Sequence, residues 1–438
     1  MHWIGETFTS DAGWSHLEQL VDLAPRMAGS AGERAAADAT REALASAGAE
    51  NARTEAFDVH GWTRGDSSLT AGDAEHDCIA LPRSPSGSAT GRLVDLGHGL
   101  PEDFEAADLT DAVVHCRSDI PDWFDRSMHR REKYYRAVQG GAAAFVFSNH
   151  IEGCLPPTGS VGTGTEPVGE IPAVGVSREV GAGLTRRFDG DAVTVAVEAE
   201  NADASSQNVH AALGPDTDER VLVTSHVDGH DISEAAMDNG AGTAMVVEVA
   251  RALAAREADA DAPTLGTRVE FVAFGAEEVG LVGSTRLADA VNTDAVRAVI
   301  NLDGVCRGRT LTASTHGSDA LASITGSVSE RLDHPIDVRP EYVPHSDHWP
   351  FVARGIPAIL VGSDDDTAGR GWGHTHADTI DKLEARTLRE GAILVAELVG
   401  AVTEQSVPGL DTDAVAADLE AANEATAMRI TGDWPFEE

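Results

Sequence analysis

The chain is expected to be an α/β protein: a mixed, mostly parallel central sheet flanked by helices (an α/β/α sandwich), with a β-rich domain inserted into it. Three observations lead there. After residue 205, short apolar runs alternate with loops and helical patterns, the signature of a sheet covered on both faces. Between about 68 and 200 the pattern is instead β-rich. The length of 438 residues and 42% hydrophobic content allow more than one compact unit.

In order along the chain, residues 11–48 read as helix. Trp14, Leu17, Leu20 and Val21 fall at helical spacing, Pro25 interrupts, and Ser30 with Glu33 predicts a capping box for a second helix that Gly48 ends. Around 66–110 the composition shifts to Gly, Ser, Pro and Asp, which places a boundary near 68. Within the insert, Ala112–Cys116, Ala142–Ser148 and Ile171–Val176 are expected strands, Arg130–Gln139 the one helix, and 153–169 a loop. Beyond it come strands at Val221–Thr224, Val269–Phe274, Val299–Leu302 and Ala358–Val361. Helices are expected at Gly242–Leu253, around 280–290 and at 383–403. The expected organisation is 1–67 as the N-terminal helical part, 68–200 as the insert, 201–405 as the main α/β domain and 406–438 as an acidic tail, helical over Ala414–Met428.

Charge excludes one class of function. The net charge is −41, and of 32 basic residues only Lys133 and Lys382 are lysine. A nucleic-acid partner needs a basic face, and none is legible. Acid scattered along the whole chain acts as a solvated surface whose self-repulsion salt screens. This bias resembles proteins of salt-loving organisms, so stability is expected to fall from molar to millimolar salt; an unchanged melting temperature would overturn that. The four cysteines show no CxxC spacing. The N-terminus lacks the pattern of a signal peptide and no apolar run reaches membrane-spanning length, so a cytoplasmic location with no membrane partner is expected.

Five segments bring metal-ligand residues to the ends of apolar runs: Ser225-His226-Val227-Asp228, Met237-Asp238-Asn239-Gly240, Ala276-Glu277-Glu278-Val279, Asn301-Leu302-Asp303-Gly304 and Gly373-His374-Thr375. Such residues suit two divalent ions sharing a carboxylate, with a base left over to work on water. Strand ends in an open α/β sheet are where ligands gather. Asp238 precedes the small-residue run that opens a helix, where backbone N–H groups hold one oxygen and leave the other free to bridge. Successive side chains of a strand diverge, so of Glu277 and Glu278 one is read as ligand and the other as base. Asp228 and Asp378 are candidates to orient His226 and His374. A lone His-x-Asp or Glu-Glu is most often a surface feature; here apolar neighbours such as Phe271–Phe274 deliver the carboxylates from the interior, where unpaired charge is costly.

The ordered set resembles the M28 family of co-catalytic zinc aminopeptidases and their carboxypeptidase relatives. The likeness runs from Ser225-His226-Val227-Asp228 through Phe274-Gly275-Ala276-Glu277-Glu278, Asn301-Leu302-Asp303 and Ser346-Asp347-His348 to His374-Thr375 with Asp378-Thr379. The resemblance implies His226 and Asp303 on one zinc, Glu278 and His374 on the other, Asp238 bridging, Glu277 as general base, and a cis peptide at Asp238–Asn239. Co2+ or Mn2+ would suit the same ligands. The insert resembles the protease-associated domain of several members, through Arg131–Ala137, Gln139–Phe147 and Ile171–Val176. One departure stands out: many members carry Tyr just before the second ligating His, and this chain has Gly373. His348 or Tyr342 is then the candidate oxyanion donor. The implied activity is removal of N-terminal residues from peptides. Carboxypeptidase, dipeptidase or amidohydrolase chemistry, or a non-catalytic binding module, are the alternatives. The loops around 305–372 are expected to set specificity, and the oligomeric state stays open.

Overall fold

The computed structural model describes residues 2–364 and 371–436. Of the loops expected to set specificity, residues 365–370 therefore lie outside the described residues, as do Met1 at the start and residues 437–438 of the tail.

The strands Arg220–His226, Arg268–Phe274, Val296–Leu302 and Ala358–Asp364 lie parallel at the centre of the sheet. Thr310–Ser314 joins one edge antiparallel and carries Ile336–Arg339. Their side chains are buried on both faces, as their near-continuous apolar runs require. Helices Ala12–Asp22, Ala31–Ser46, Gly242–Ala258 and Ala385–Glu404 cover one face around Leu17, Leu44, Met245 and Leu394. Val282–Ala290, Trp349–Val352 and the C-terminal helices cover the other, around Phe274, Phe351 and Leu419.

Two strands of 22 residues each, Glu50–Ala71 and Ala192–Leu213, pair antiparallel along almost their whole length. At one end Ala192–Leu213 pairs with Arg268–Phe274; at the other it pairs with Gly87–Asp95 of the insert. The expected boundaries at 68 and 200 thus both fall inside unbroken strands. Buried residues alternate in part of each strand (Phe57 and Val59; Val193, Val195 and Val197), but polar, mostly exposed stretches such as 50–56 and 198–203 interrupt the pattern.

The insert holds a parallel array, Gly87–Asp95, Val113–Arg117, Ala144–Ser148 and Ala173–Val176. Its expected single helix, Arg130–Gln139, is joined by Pro101–Ala106 and Arg178–Phe188. The last contains Gly181 and Gly183, poor helix formers that mask it in the sequence; Ser177 caps it by accepting from Val180 N–H.

Ser30 caps its helix as expected, accepting from Glu33 N–H at 3.1 Å. The Glu33 carboxylate does not close the box on Ser30. It accepts from Gly29 N–H, Ser206 Oγ and Ala276 N–H. The C-terminal segment is two helices, Thr412–Ala421 and Glu424–Thr431, rather than one solvated tail. Met428 and Trp434 pack on the sandwich, Ile430 on the insert, and Asp433 pairs with Arg131 of the insert at 2.8 Å. Among the described residues no helix is long and apolar enough to cross a membrane, and all four cysteines are free.

Candidate metal centre

His226 closes its strand, and Asp303 follows the end of Val296–Leu302. Glu277 and Glu278 lie in the turn after Phe274, which Ala276 enters at φ +59°. Asp238 sits in the π-helical turn Ala236–Ala241, and the Asp238–Asn239 peptide is cis. All five expected ligands and the expected base meet at the carboxyl ends of the central strands, where an open α/β sheet places its crevice.

The arrangement is a pair of triplets about one carboxylate. His226, Glu277 and Asp303 form one triplet and His230, Glu278 and His374 the other, the ligand atoms of each lying within 4.8 Å of one another. Asp238 faces both: its Oδ1 is 3.4 Å from His226 Nε2 and its Oδ2 is 3.0 Å from His374 Nε2. His230 was not among the expected residues. Its Nε2 is 2.9 Å from Glu278 Oε2 and its ring stands edge-on to His374. The signal was present, since it lies four residues after His226 in the same segment.

Supporting hydrogen bonds fix each group. Asp228 accepts from the N–H groups of Glu277 at 3.1 Å and Glu278 at 3.2 Å, so its carboxylate holds the turn that presents both acids. His226 Nδ1 lies 3.1 Å from the Asp228 carbonyl and 3.5 Å from its carboxylate. A relay runs from Thr224 Oγ1 to Asn301, from Asn301 Nδ2 to Ser346, and from Ser346 Oγ to Asp303 Oδ2 at 2.6 Å. Asp378, expected to orient His374, takes the N–H groups of Met237 at 2.8 Å and Asp238 at 3.1 Å, and so steers the bridging residue. Arg26, fully buried, donates to the carbonyls of Leu20, Val227, Glu234 and Ala235. It ties the His226 segment to the Asp238 segment, and nothing in its sequence neighbourhood announces that role.

The two oxyanion candidates serve elsewhere. His348 is fully buried, hydrogen-bonded through Nε2 to the Val343 carbonyl and packed on His316. The Tyr342 hydroxyl donates to Asp418 of the C-terminal segment at 3.2 Å. Both belong to the packing of their loop. The residue that reaches the cleft from it is His345, stacked 4.6 Å from His129 of the insert. Arg130, Ser160 and Gly162 complete that wall opposite Glu277, Glu278 and His374. Contact between the two halves is direct, because Thr158 N–H donates to the His374 carbonyl at 2.8 Å.

The electrostatics identify what the cluster is built to hold. Asp347, fully buried, is pushed up to about 8 by burial and by Asp228 and Asp303, against the pull of His226 and a Ser284 hydrogen bond. Asp378 rises to about 7, through burial first and then Asp238. Burial, Glu278, Asp347 and Asp303 together hold the Glu277 carboxyl well above its usual range despite the neighbouring His226. His226 Nε2 and Glu278 Oε1 are buried with no hydrogen-bond partner among the described residues. A site with this many converging acceptors and three imidazoles, His226, His230 and His374, fits hard-to-borderline divalent cations.

Comparison with known proteins agrees with the geometry. Residues 208–399 match the profile of Peptidase family M28, and residues 89–184 that of the PA domain. Aminopeptidase YwaD of Bacillus subtilis is 26% identical, the alignment covering 92% of this chain and 87% of that protein. The solved structure of BSAP, a zinc aminopeptidase from Bacillus subtilis, superposes with a TM-score of 0.70 at 25% identity, over 90% of this chain and 94% of the other. A Peptidase M28 precursor from Shewanella amazonensis shares the fold, with a TM-score of 0.76 at 21% identity over 94% and 97% of the two chains.

Proposed function

Because this chain belongs to peptidase family M28 and carries a PA domain, we propose that it is a two-zinc aminopeptidase with Glu277 as its general base. The observation that carries the reading is the pair of ligand triplets on either side of Asp238, whose two oxygens point one to each side. His226 and Asp303 would hold one ion, Glu278 and His374 the other, with His230 beside the second. When bound, the ions supply Lewis acidity, polarising a peptide carbonyl and lowering the pKa of water.

The chain's own residues do the rest. Glu277 takes the proton of the attacking water on its free carboxylate oxygen and passes it to the departing amine nitrogen. Asp228 keeps that carboxylate in place through the Glu277 N–H, and the Ser346 hydroxyl keeps Asp303 aimed at His226. Surplus carboxylate charge draws the cationic α-amino group of a peptide, and the insert wall at Arg130 and Ser160 narrows the cleft so that a chain end enters more readily than a mid-chain loop.

The test is a panel of aminoacyl-p-nitroanilides, free and N-acetylated, in molar salt with zinc and with a chelator control. Chelator-sensitive cleavage of only the free-amine substrates is expected. No cleavage by folded protein carrying two metals would move the assignment to carboxypeptidase, dipeptidase or amidohydrolase chemistry. No cleavage and no bound metal would make the chain a binding module.

A further inference from the structure

The PA domain holds a second constellation that the metal centre does not use. Asp95 ends the strand Gly87–Asp95, His115 lies in the neighbouring strand Val113–Arg117, and Ser148 ends Ala144–Ser148. The three strands are parallel and adjacent, so these side chains meet at their carboxyl ends. His115 Nδ1 is 2.8 Å from Asp95 Oδ1, and His115 Nε2 is 2.9 Å from Ser148 Oγ. An ionised carboxylate only accepts hydrogen bonds, so Nδ1 carries the ring proton and Nε2 accepts from the serine hydroxyl. Burial works against the Asp95 charge, but the hydrogen bonds from His115 and Gly97 N–H outweigh it and hold the carboxyl below its usual range. That order of groups, with that tautomer, is the acid–base relay of serine hydrolases, which is recognised by geometry and not by sequence position.

His115 and Ser148 are each only 2% exposed, but both border a cavity of about 550 Å3 that is also lined by Arg117, Asp119, His150 and Arg178. Arg117 and Asp119 pair there at 3.4 Å, and both also contact His98. The helix Arg178–Phe188 passes over the Ser148–His115 pair at Gly181; a Cβ at that position would lie 2.9 Å from Ser148 Oγ and 3.1 Å from His115 Nε2. Only glycine permits so close an approach of the helix, which covers the pair on that side and leaves the cavity as its access.

We propose that Ser148 and His115, positioned by Asp95, form a metal-independent nucleophilic centre in the PA domain that acts on small polar esters. Ser148 Oγ bonds to the acyl carbon as its proton passes to His115 Nε2. The ester C–O bond then breaks and the departing alcohol takes that proton. A water molecule gives a proton to His115 and attacks the acyl-serine; the carboxylic acid leaves and the proton returns to Ser148. The centre does not depend on the peptidase assignment.

The test uses a fluorophosphonate probe on the intact protein, where an Oγ–P bond forms, the P–F bond breaks, fluoride leaves and the proton goes to His115. One label is expected, mapped to Ser148 by peptide mass spectrometry. It should persist in chelator and in Glu277→Gln, and vanish in Ser148→Ala. Labelling should slow by about a hundredfold or more in His115→Ala, the share a general base contributes. Asp95→Asn, at the cavity edge, should slow labelling and change its pH profile while the thermal transition stays in place; this variant serves if His115→Ala does not fold. Chelator-insensitive turnover of p-nitrophenyl acetate should follow the same order. Wild-type protein with an intact unfolding transition and no label at Ser148 would overturn the proposal. So would unaltered labelling rates in both the His115 and Asp95 variants, which would leave the three residues as scaffold.

Discussion

The two halves of the molecule collect polar side chains in the same place, the carboxyl ends of parallel strands, and arrange them by opposite rules. In the peptidase half Asp228, Asp238, Glu277, Glu278, Asp303 and Asp347 crowd around His226, His230 and His374, leaving acceptors in excess of donors. In the PA domain Asp95, His115 and Ser148 match donor to acceptor along one line. Uncompensated buried charge is tolerated only with a counter-charge. The first arrangement is therefore complete only with cations, whereas the second can work without them. Position in the fold gives both sites their access; the balance of donors and acceptors decides which chemistry each can support.

That contrast can be broken most sharply at Glu277. Replacement by Gln keeps the shape and removes the proposed base, so kcat should fall by about 10²–10⁴, while the metal content by elemental analysis should match that of the parent protein. Ser148 labelling should be untouched; a parallel loss of both would show that the centres are not independent. Next in size is Arg26→Met. Leaving up to four buried carbonyls without their donor should cost about 3 kcal/mol in urea unfolding, since each lost partner costs roughly 1–3 kcal/mol before relaxation. The loss should grow after chelation, because Arg26 is then a principal cation facing Asp228 and Asp378. An equal loss in both states would remove it from the electrostatics of the site.

A smaller effect is expected at Glu270, a matched acid in the peptidase sheet. Burial opposes its charge, but His210 and Arg220 bring its pKa down to about 2 from an ordinary 4.5. A depressed folded-state pKa means that this stabilisation is present above pH 4.5 and is lost as pH falls from there towards 2. Glu270→Gln should therefore flatten the acid limb of the stability profile across that window, and an unchanged slope would count against the pairing.

The residues gathered at the candidate metal centre were legible because each ends an apolar run, so a charged residue at the edge of the interior needs a reason to be there. The sandwich was legible for a related reason, its strands being continuous blocks of Val, Ile, Leu and Phe. In Glu50–Ala71 and Ala192–Leu213 the alternation, as at Phe57 and Val59 or Val193, Val195 and Val197, is broken by exposed polar stretches such as 198–203, and the strands were missed. Asp95, His115 and Ser148 are separated by 20 and 33 positions, and only strand adjacency, a property of the folded sheet, brings them together. The oxyanion candidates failed differently: His348 and Tyr342 lie close in sequence to the cleft-lining His345, but the turn between them sends their polar atoms to Val343 and Asp418. Asp378 was placed at the site with the wrong partner, since spacing shows that a carboxylate is near and not which N–H it will meet.

The paired 22-residue strands have a practical corollary for protein engineering. Ala71 lies opposite Val193 at the far end of the ribbon, so the chain leaves for the PA domain and returns almost at one point. Excising residues 72–192 and joining Ala71 to Val193 through a two-residue Asn-Gly turn would convert the ribbon into an ordinary β-hairpin. Cutting at the compositional boundaries near 68 and 200 would instead leave unequal strand ends and an open pairing edge, an invitation to aggregate.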